Sequence, residues 1–364
     1  MSDLKRKIFD LVTKQEYWKR TVKPASAIFE HILKENKKWR IITKKDLLKQ
    51  NSYLDQECRL DDSEITTLLK HLHQAGTLLY FEDPALKDTI ILDVQWLVDA
   101  FKCILEYYVA IEKGHDIERQ HFKETGELKE EELDAIWKRQ ENEGKNYRTH
   151  KYVLTSYMEK LGLLVCNSEP RKWYYFPSMN RRKFVNEQLK EFKKSSILSF
   201  QFEKEKQFPI FVFYRFVIKC MKLPNWEILI EKKCRCLYDE VACFSYQGHI
   251  VLLCVYNFQI QVQVCHQFEV EPNVLVDIKD TIEEIMEEFQ FQNYEFYIGY
   301  KCLNGKFHDE ELNFIPETDL KDRVNDLFCP FCTNKHILGK EIFWVRLIFV
   351  ILTLIYGSLS TAQD

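Results

Sequence analysis

Cys329-Pro330-Phe331-Cys332, with His336 four residues further on, has the spacing of a zinc half-site. Two thiolates and an imidazole at that separation can reach one ion from a tight turn. A closed structural site needs a fourth ligand, and the nearest candidates are Cys302 and His308. A turn carrying incidental thiols accounts for the same residues, and a single Cys-x-x-Cys favours that reading over zinc. The expectation is therefore no metal, with Cys329, Cys332 and His336 as the weak candidate ligands. Cys234-x-Cys236 is poorer still: on a strand both would face one side, but no histidine follows nearby. His71 and His73 lie two apart on a helical stretch, so they point to different faces and cannot chelate as a pair.

Catalytic spacing is equally sparse. The chain holds no His-Glu-x-x-His, Gly-x-Ser-x-Gly or Gly-x-Gly-x-x-Gly. None of its ten glycines begins Gly-Lys-Ser/Thr: Gly144-Lys145-Asn146, Gly305-Lys306-Phe307 and Gly339-Lys340-Glu341 all fail. Asn334-Lys335-His336-Ile337 lacks the aspartate of a guanine-reading element. Glu130-Glu131-Glu132 and His308-Asp309-Glu310-Glu311 read as solvated acidic faces. No catalytic residue, cofactor site or GTP site is expected.

Composition agrees. Gly 10 and Pro 9 in 364 residues are near half of average usage, which runs at about 7% and 5%. Few residues are left to line a phosphate loop. A net charge of −4 gives no electrostatic footprint for nucleic acid. The N-terminal Met1-Ser2-Asp3-Leu4-Lys5-Arg6-Lys7 has no signal-peptide core, so the twelve cysteines read as reduced thiols of a cytoplasmic protein. Cys103, Cys220, Cys243 and Cys254 sit in apolar runs and are expected in the core.

The elements that would position any site begin with helices. Pro24 fits the first turn of a helix with Ile28, Phe29, Ile32 and Leu33 on one face. Thr43 can cap a short helix through Leu47 and Leu48, and Asp62 or Ser63 starts another bearing Ile65, Leu68, Leu69 and Leu72. Gly76 ends it, and the runs 77–81 and 89–92 predict a hairpin. Helix, helix, hairpin is a winged-helix order. Leu133, Leu154, Met158 and Gly162 follow Leu47, Leu68, Leu72 and Gly76 at a constant offset of 86, with a second hairpin from 163–165 and 173–176. Between the copies, Asp93 opens a helix through Val109 with Trp96, Leu97, Ala100, Phe101, Ile104 and Leu105 as its apolar side. After Arg181-Arg182-Lys183 the pattern becomes a strand (197–202), an aromatic helix (209–221), strands about a Gln247-Gly248 turn, the alternating run Phe258–Val264, a helix after Pro272, and a final strand at 294–300. The fold class is α+β: tandem winged-helix-like, mostly helical units, then an antiparallel sheet with packed helices.

The stretch His71-Leu72-His73-Gln74-Ala75-Gly76-Thr77-Leu78-Leu79-Tyr80-Phe81, followed by Ile90-Ile91-Leu92-Asp93-Val94-Gln95-Trp96-Leu97, resembles the COR domain, the segment C-terminal to the Roc GTPase in Roco proteins. Leu154–Leu163 and Tyr174-Tyr175-Phe176-Pro177-Ser178-Met179 resemble that domain's closing helix and strand. Val94 departs from the proline usual at the start of the tryptophan-bearing helix. The resemblance covers roughly 20–310 and implies COR-A in 1–190, with winged units at about 37–110 and 121–180 after an N-terminal helix. It implies COR-B in 195–310, followed by a tail with the Cys-x-x-Cys (311–341) and an apolar segment (342–364). It implies neither leucine-rich repeats nor a kinase on this chain.

The function implied by the resemblance is a non-catalytic interaction, dimerisation or relay module. Its partners would be a Roc-type GTPase, in trans or in a longer gene product, and a second copy through COR-B. The apolar stretch at 342–360, with Lys340 and Arg346 on its N-terminal side, gives a membrane-tethered adaptor as one alternative. A DNA-binding winged helix is the other, and it is disfavoured because the helices at 64–75 and 151–161 offer only Lys70, Lys151 and Lys160 beside acids.

Overall fold

The computed structural model describes residues 2–14, 24–109, 117–140, 144–167, 171–185, 193–195, 197–202, 210–256, 258–266, 273–288, 296–301, 307, 314–316, 327–328 and 335–336. Helices and antiparallel sheets are both present, so the chain is α+β. It divides into two compact units, Met1–Glu106 with Asp134–Tyr157, and Tyr107–Leu133 with Met158–Asp364.

The first unit contains α1 (Ser2–Thr13), α2 (Pro24–Glu35), β1 (Ile41–Thr43), α3 (Lys44–Ser52), α4 (Asp62–Gln74), β2 (Thr89–Ile91) and most of α5 (Val94–Val109). Pro24 opens α2, where its missing N–H would have had no partner. The buried face is Ala25, Phe29 and Leu33 at four-residue spacing, which leaves Ile28 exposed against expectation. Thr43 caps α3 by accepting from the Asp46 N–H. The cap of α4 is Asp61, one residue before the expected start. Its carboxylate accepts from Glu64 N–H while Glu64 accepts from Asp61 N–H, forming a capping box. Ile65, Leu69 and Leu72 are buried, and Gly76 ends the helix at φ +68 with Thr77 N–H donating to the Leu72 carbonyl.

The first expected hairpin is reduced to one bridge, Leu79↔Ile91. Residues 83–87 wind back on Asp83, whose carbonyl accepts from Leu86 and Lys87, so the two runs cannot zip together. β2 pairs with β1 instead, Ile41↔Ile91 through Thr43↔Thr89. On α5, Trp96, Leu97, Ala100, Cys103 and Ile104 are buried, whereas Leu105 is exposed and Phe101 half-buried. The apolar side of that helix is therefore rotated from the one its periodicity suggests.

Next come α6 (Ile117–Thr125), β3 (Glu127–Lys129), α7 (Glu130–Lys138), α8 (Lys151–Lys160), β4 (Val165–Asn167) and β5 (Trp173–Tyr175). The second hairpin forms, with β3 added to give a three-stranded sheet in the order β3-β5-β4. Then follow β6 (Lys193–Lys194), β7 (Leu198–Phe202), α9 (Ile210–Cys220), β8 (Trp226–Ile228), β9 (Ile230–Glu231), β10 (Cys234–Arg235), β11 (Val241–Tyr246), β12 (His249–Tyr256), β13 (Gln259–His266), α10 (Asn273–Glu288), β14 (Phe296–Lys301) and β15 (Phe314–Pro316). An eight-stranded antiparallel sheet runs β15-β14-β7-β13-β12-β11-β8, with β6 also on β13. β14 is not the last strand, since β15 pairs with it, and β16 (Leu327–Phe328) pairs with β17 (Lys335–His336).

Ile260, Val262 and Val264 of β13 share a core with Phe213, Phe216 and Val217 of α9 and Ile278, Ile282 and Ile285 of α10. Each such side chain removed from water contributes about 1.5–3 kcal/mol. The alternation of β13 is as expected, but its polar residues are not solvated. Gln259, Gln261 and Gln263 are buried, with Gln261 Nε2 donating to Gln259 Oε1 (3.1 Å) and Gln263 Nε2 to the Ser195 carbonyl (3.0 Å). Cys103, Cys220, Cys243 and Cys254 are buried, and none of them is in a disulfide. Among the described residues no helix is long and apolar enough to cross a membrane; 342–364 lie outside them.

Gly126 and Gly248 test how the backbone is constrained. Both have positive φ, +70 and +82, but a Cβ on Gly126 would stand 2.5 Å from the Phe176 carbonyl oxygen while one on Gly248 meets nothing. Gly248→Ala should cost about 1–2 kcal/mol from the left-handed conformation alone, and Gly126→Ala clearly more. Urea denaturation of the two variants measures the difference, and equal losses would refute the crowding.

Candidate functional site

Among the described residues no group of three His, Cys, Asp or Glu is placed to hold a metal. What the chain builds instead are two sets of long-range polar anchors, one in each unit.

In the first unit the anchor is Trp96. Its indole N–H donates to the Lys145 carbonyl at 2.7 Å, and the Arg40 guanidinium donates to the carbonyls of Gly144 (2.8 Å) and Lys145 (2.6 Å). Arg40 lies over the Trp96 ring at 5.9 Å, with Tyr147 at 5.8 Å and His150 edge-on at 5.7 Å. Burial, with the Arg40 charge added, lowers the His150 pKa. Arg40 reaches this position from a left-handed backbone (φ 66), and its own carbonyl accepts from Leu92 and Asp93. Trp137 Nε1 donates to the Ala100 carbonyl and Tyr157 Oη to that of Thr89. Residues 134–157 are thus tied to 1–106 by aromatic polar tips on backbone carbonyls.

In the second unit, Arg235 on β10 is the hub. Its guanidinium lies 3.8 Å over the Trp173 ring of β5 and donates to Glu127 of β3 at 2.6 Å. His121 Nε2 stands 3.7 Å from the same Glu127 oxygen. The neighbouring Glu127 carboxylate raises the His121 pKa, partly opposed by burial. Arg182 donates to the Arg235 carbonyl and covers Tyr238, while Arg181 and Lys183 flank Asp239. Arg215, buried on α9, donates to the Leu161 carbonyl at 2.5 Å and fills the space that Gly162 leaves by lacking a side chain. Lys222 donates to the Cys166 carbonyl and pairs with Glu159.

The residues singled out by sequence are dispersed. Cys329, Cys332, Cys302 and His308 lie outside the described residues, and of His336 only its backbone place on β17 is described. Cys234 and Cys236 do not share a side: β10 ends at Arg235, leaving Cys234 exposed and Cys236 buried. His73 is half-buried against Phe81, and desolvation lowers its pKa. Glu132 is not solvated as expected: it is buried and accepts from the Lys129 N–H, and desolvation raises its pKa. Arg235 and Glu127, 108 residues apart, left no sequence signal. Arg181-Arg182-Lys183 did, as a run of cations, but only the fold reveals Asp239 as the partner shared by Arg181 and Lys183.

Residues 26–180 match the family model "COR-A: C-terminal of Roc, COR-A domain". Over that segment the chain is similar to a COR domain of the Roco family. Among solved structures it is similar to Methanosarcina barkeri Roco2 RocCORdC bound to GDP, at 20% identity and a TM-score of 0.36. That likeness covers 49% of this chain and 50% of that one, so the chain spans about half its length. No curated protein matches. Residues that carried the resemblance are structural here: Leu78, Ile91, Leu92, Trp96, Tyr175 and Phe176 are all buried.

Breaking the Arg235 hub should be costly. Arg235→Met strands the Glu127 carboxylate and is expected to lower stability by about 3 kcal/mol. Adding Glu127→Gln should restore most of it, as unfolding of both variants would reveal; no recovery would show that the pair is incidental. Because His121 binds its proton more tightly folded than unfolded, its contribution is complete below the ordinary imidazole value of about 6.5 and is lost as pH rises through the raised value. His121→Asn should therefore destabilise at acid pH and be neutral at alkaline pH. A pH-independent loss would exclude this linkage.

Proposed function

We propose that this chain is a non-catalytic COR module that organises or relays Roco-type GTPase signalling in the cytoplasm by protein contact. COR-A, within residues 1–190, docks a Roc-type GTPase, and COR-B, within 195–310, self-associates. The observation that carries the reading is the COR-A match over 26–180.

COR-A is read as two tandem winged-helix-like units, supported by a repeat of elements at the offset of 86. β1 and α3 (41–52) correspond to β3 and α7 (127–138), and the ends of α4 and α8 fall at Gln74 and Lys160. Gly76 and Gly162 follow at φ +68 and +72. Leu79 and Val165 then pair with Ile91 of β2 and Tyr175 of β5. Duplicated winged helices whose cations are already paired suit protein contact. Lys70 pairs with Glu82 (2.6 Å) and Lys151 with Asp134 (2.9 Å), which blunts both candidate recognition helices for DNA.

The test is capture of Roc domains encoded in the same genome, loaded with GDP or a non-hydrolysable GTP analogue, by the full chain. Binding that differs between nucleotide states is expected, and no binding in either state would sink the relay. Elemental analysis of the purified chain should find no stoichiometric zinc. One zinc per chain, lost on Cys329→Ser with Cys332→Ser, would reverse the reading of that turn.

A further inference from the structure

Helix α5 buries one side, through Trp96, Leu97, Ala100, Cys103 and Ile104, and leaves apolar side chains on the other. Val98 is 50% exposed, Leu105 39% and Val109 70%. At about 3.6 residues per turn these three, with the half-buried Val94, fall in one narrow stripe along the helix. The spacing of the stripe is symmetric. Val94 and Val109 are equidistant from the helix midpoint, and so are Val98 and Leu105 between them. Beside it runs a polar row, in which Gln95 donates to Asp99 (2.9 Å) and Lys102 pairs with Glu106 (3.6 Å). Taken outwards from its own centre, that row sets Asp99 opposite Lys102 and Gln95 opposite Glu106.

We infer that α5 pairs antiparallel with α5 of a second copy of this chain, across a two-fold axis near Phe101-Lys102. This self-contact lies in COR-A and is additional to the COR-B contact proposed above. A two-fold interface requires a patch that complements itself, and the symmetric spacing gives the stripe that property. Val98 of one copy meets Leu105 of the other, and Val94 meets Val109. In the same register each Lys102 comes within reach of Asp99 of the other copy, while Glu106 of its own helix stays beside it. Those carboxylates offset the approach of two lysines at the axis. A parallel pair would instead oppose Asp99 to Asp99 and Glu106 to Glu106. A lipid surface fits less well, because Asp99 and Glu106 border the stripe and would face anionic headgroups. One helix per copy buries less than the about 1,200 Å² of a stable complex, so the pairing is weak and concentration-dependent.

The experiment is sedimentation velocity of the full chain over a concentration series, with each variant checked by circular dichroism for an unchanged fold. Val98→Glu/Leu105→Glu should weaken self-association at least about tenfold, as loss of central apolar anchors does. Asp99→Lys and Lys102→Asp should each weaken it too, and an equimolar mixture of those two variants should recover it, because opposite charges then meet at both positions. A mixture no stronger than its components would overturn the antiparallel pairing. If the full chain associates and every variant associates equally well, the α5 contact is overturned while the COR-B contact stands. If the full chain is monomeric throughout, both fall. If the variants instead release the chain from phosphatidylserine vesicles or from a Roc domain, with self-association unchanged, the stripe serves that other occupant and the assignment is wrong.

Discussion

Distant segments of this chain are closed by side-chain donors on backbone carbonyls. The first unit is discontinuous: residues 134–157 return to 1–106 after an excursion through 107–133. Packing alone would hold such a return loosely, because apolar contact is non-directional. The Trp96 indole and the Arg40 guanidinium fix it by meeting the carbonyls of Gly144 and Lys145, which neither helix nor strand would otherwise satisfy. Arg215 on Leu161, Lys222 on Cys166 and Arg182 on Arg235 repeat the device in the second unit. A donor that must reach a defined carbonyl sets register as well as affinity, and that makes these polar groups structural.

Much of the local fold was legible in the residues. Thr43, Gly76 and the Gln247-Gly248 turn act at single positions whose chemistry allows few alternatives. Regular spacing placed α4, α9, α10 and five strands of the large sheet, β7, β11, β12, β13 and β14, to within a few residues, but not β6, β8 or β15. The failures share a cause, which is that periodicity does not say how many sides of an element are covered. β13 alternates apolar and glutamine, a pattern that normally marks a half-solvated strand, yet both faces are buried. α2 and α5 are apolar over a wide arc, so the buried face could not be centred from spacing alone. β1, three residues long, carries no periodicity at all and was invisible until β2 required a partner.

Scarcity of glycine has a structural consequence beyond the missing phosphate loop. Left-handed backbone is adopted by Arg40, Asn146, Asn225, Lys232, Lys233 and Gln247. Lys232-Lys233 occupies the two-residue β9–β10 turn, where Asn-Gly would be favoured. Such positions cost energy and persist only where neighbours hold them. Arg40 is held by its guanidinium and its carbonyl together, and Lys233 leads directly into Cys234-Arg235, whose guanidinium is fixed on Glu127 and Trp173. The strained residues therefore sit beside the long-range anchors. A substitution at either would be felt at both.

Different residues identify the chain and carry out its work. Gly76, Leu92, Trp96 and Tyr175 belong to the COR signature because a turn, a buried strand end and an indole-to-carbonyl bond each demand one kind of residue. Such a signature reports a scaffold, and any protein built on it will share it whatever it binds. Under the proposed contact function, specificity would then reside in exposed side chains that the scaffold itself does not need. A catalytic family would place its signature at the reacting atoms, and recognition of the family would locate the site. If the domain acts through contact, as proposed, the signature and the site part company, and finding the second requires asking which exposed side chains the fold itself does not need.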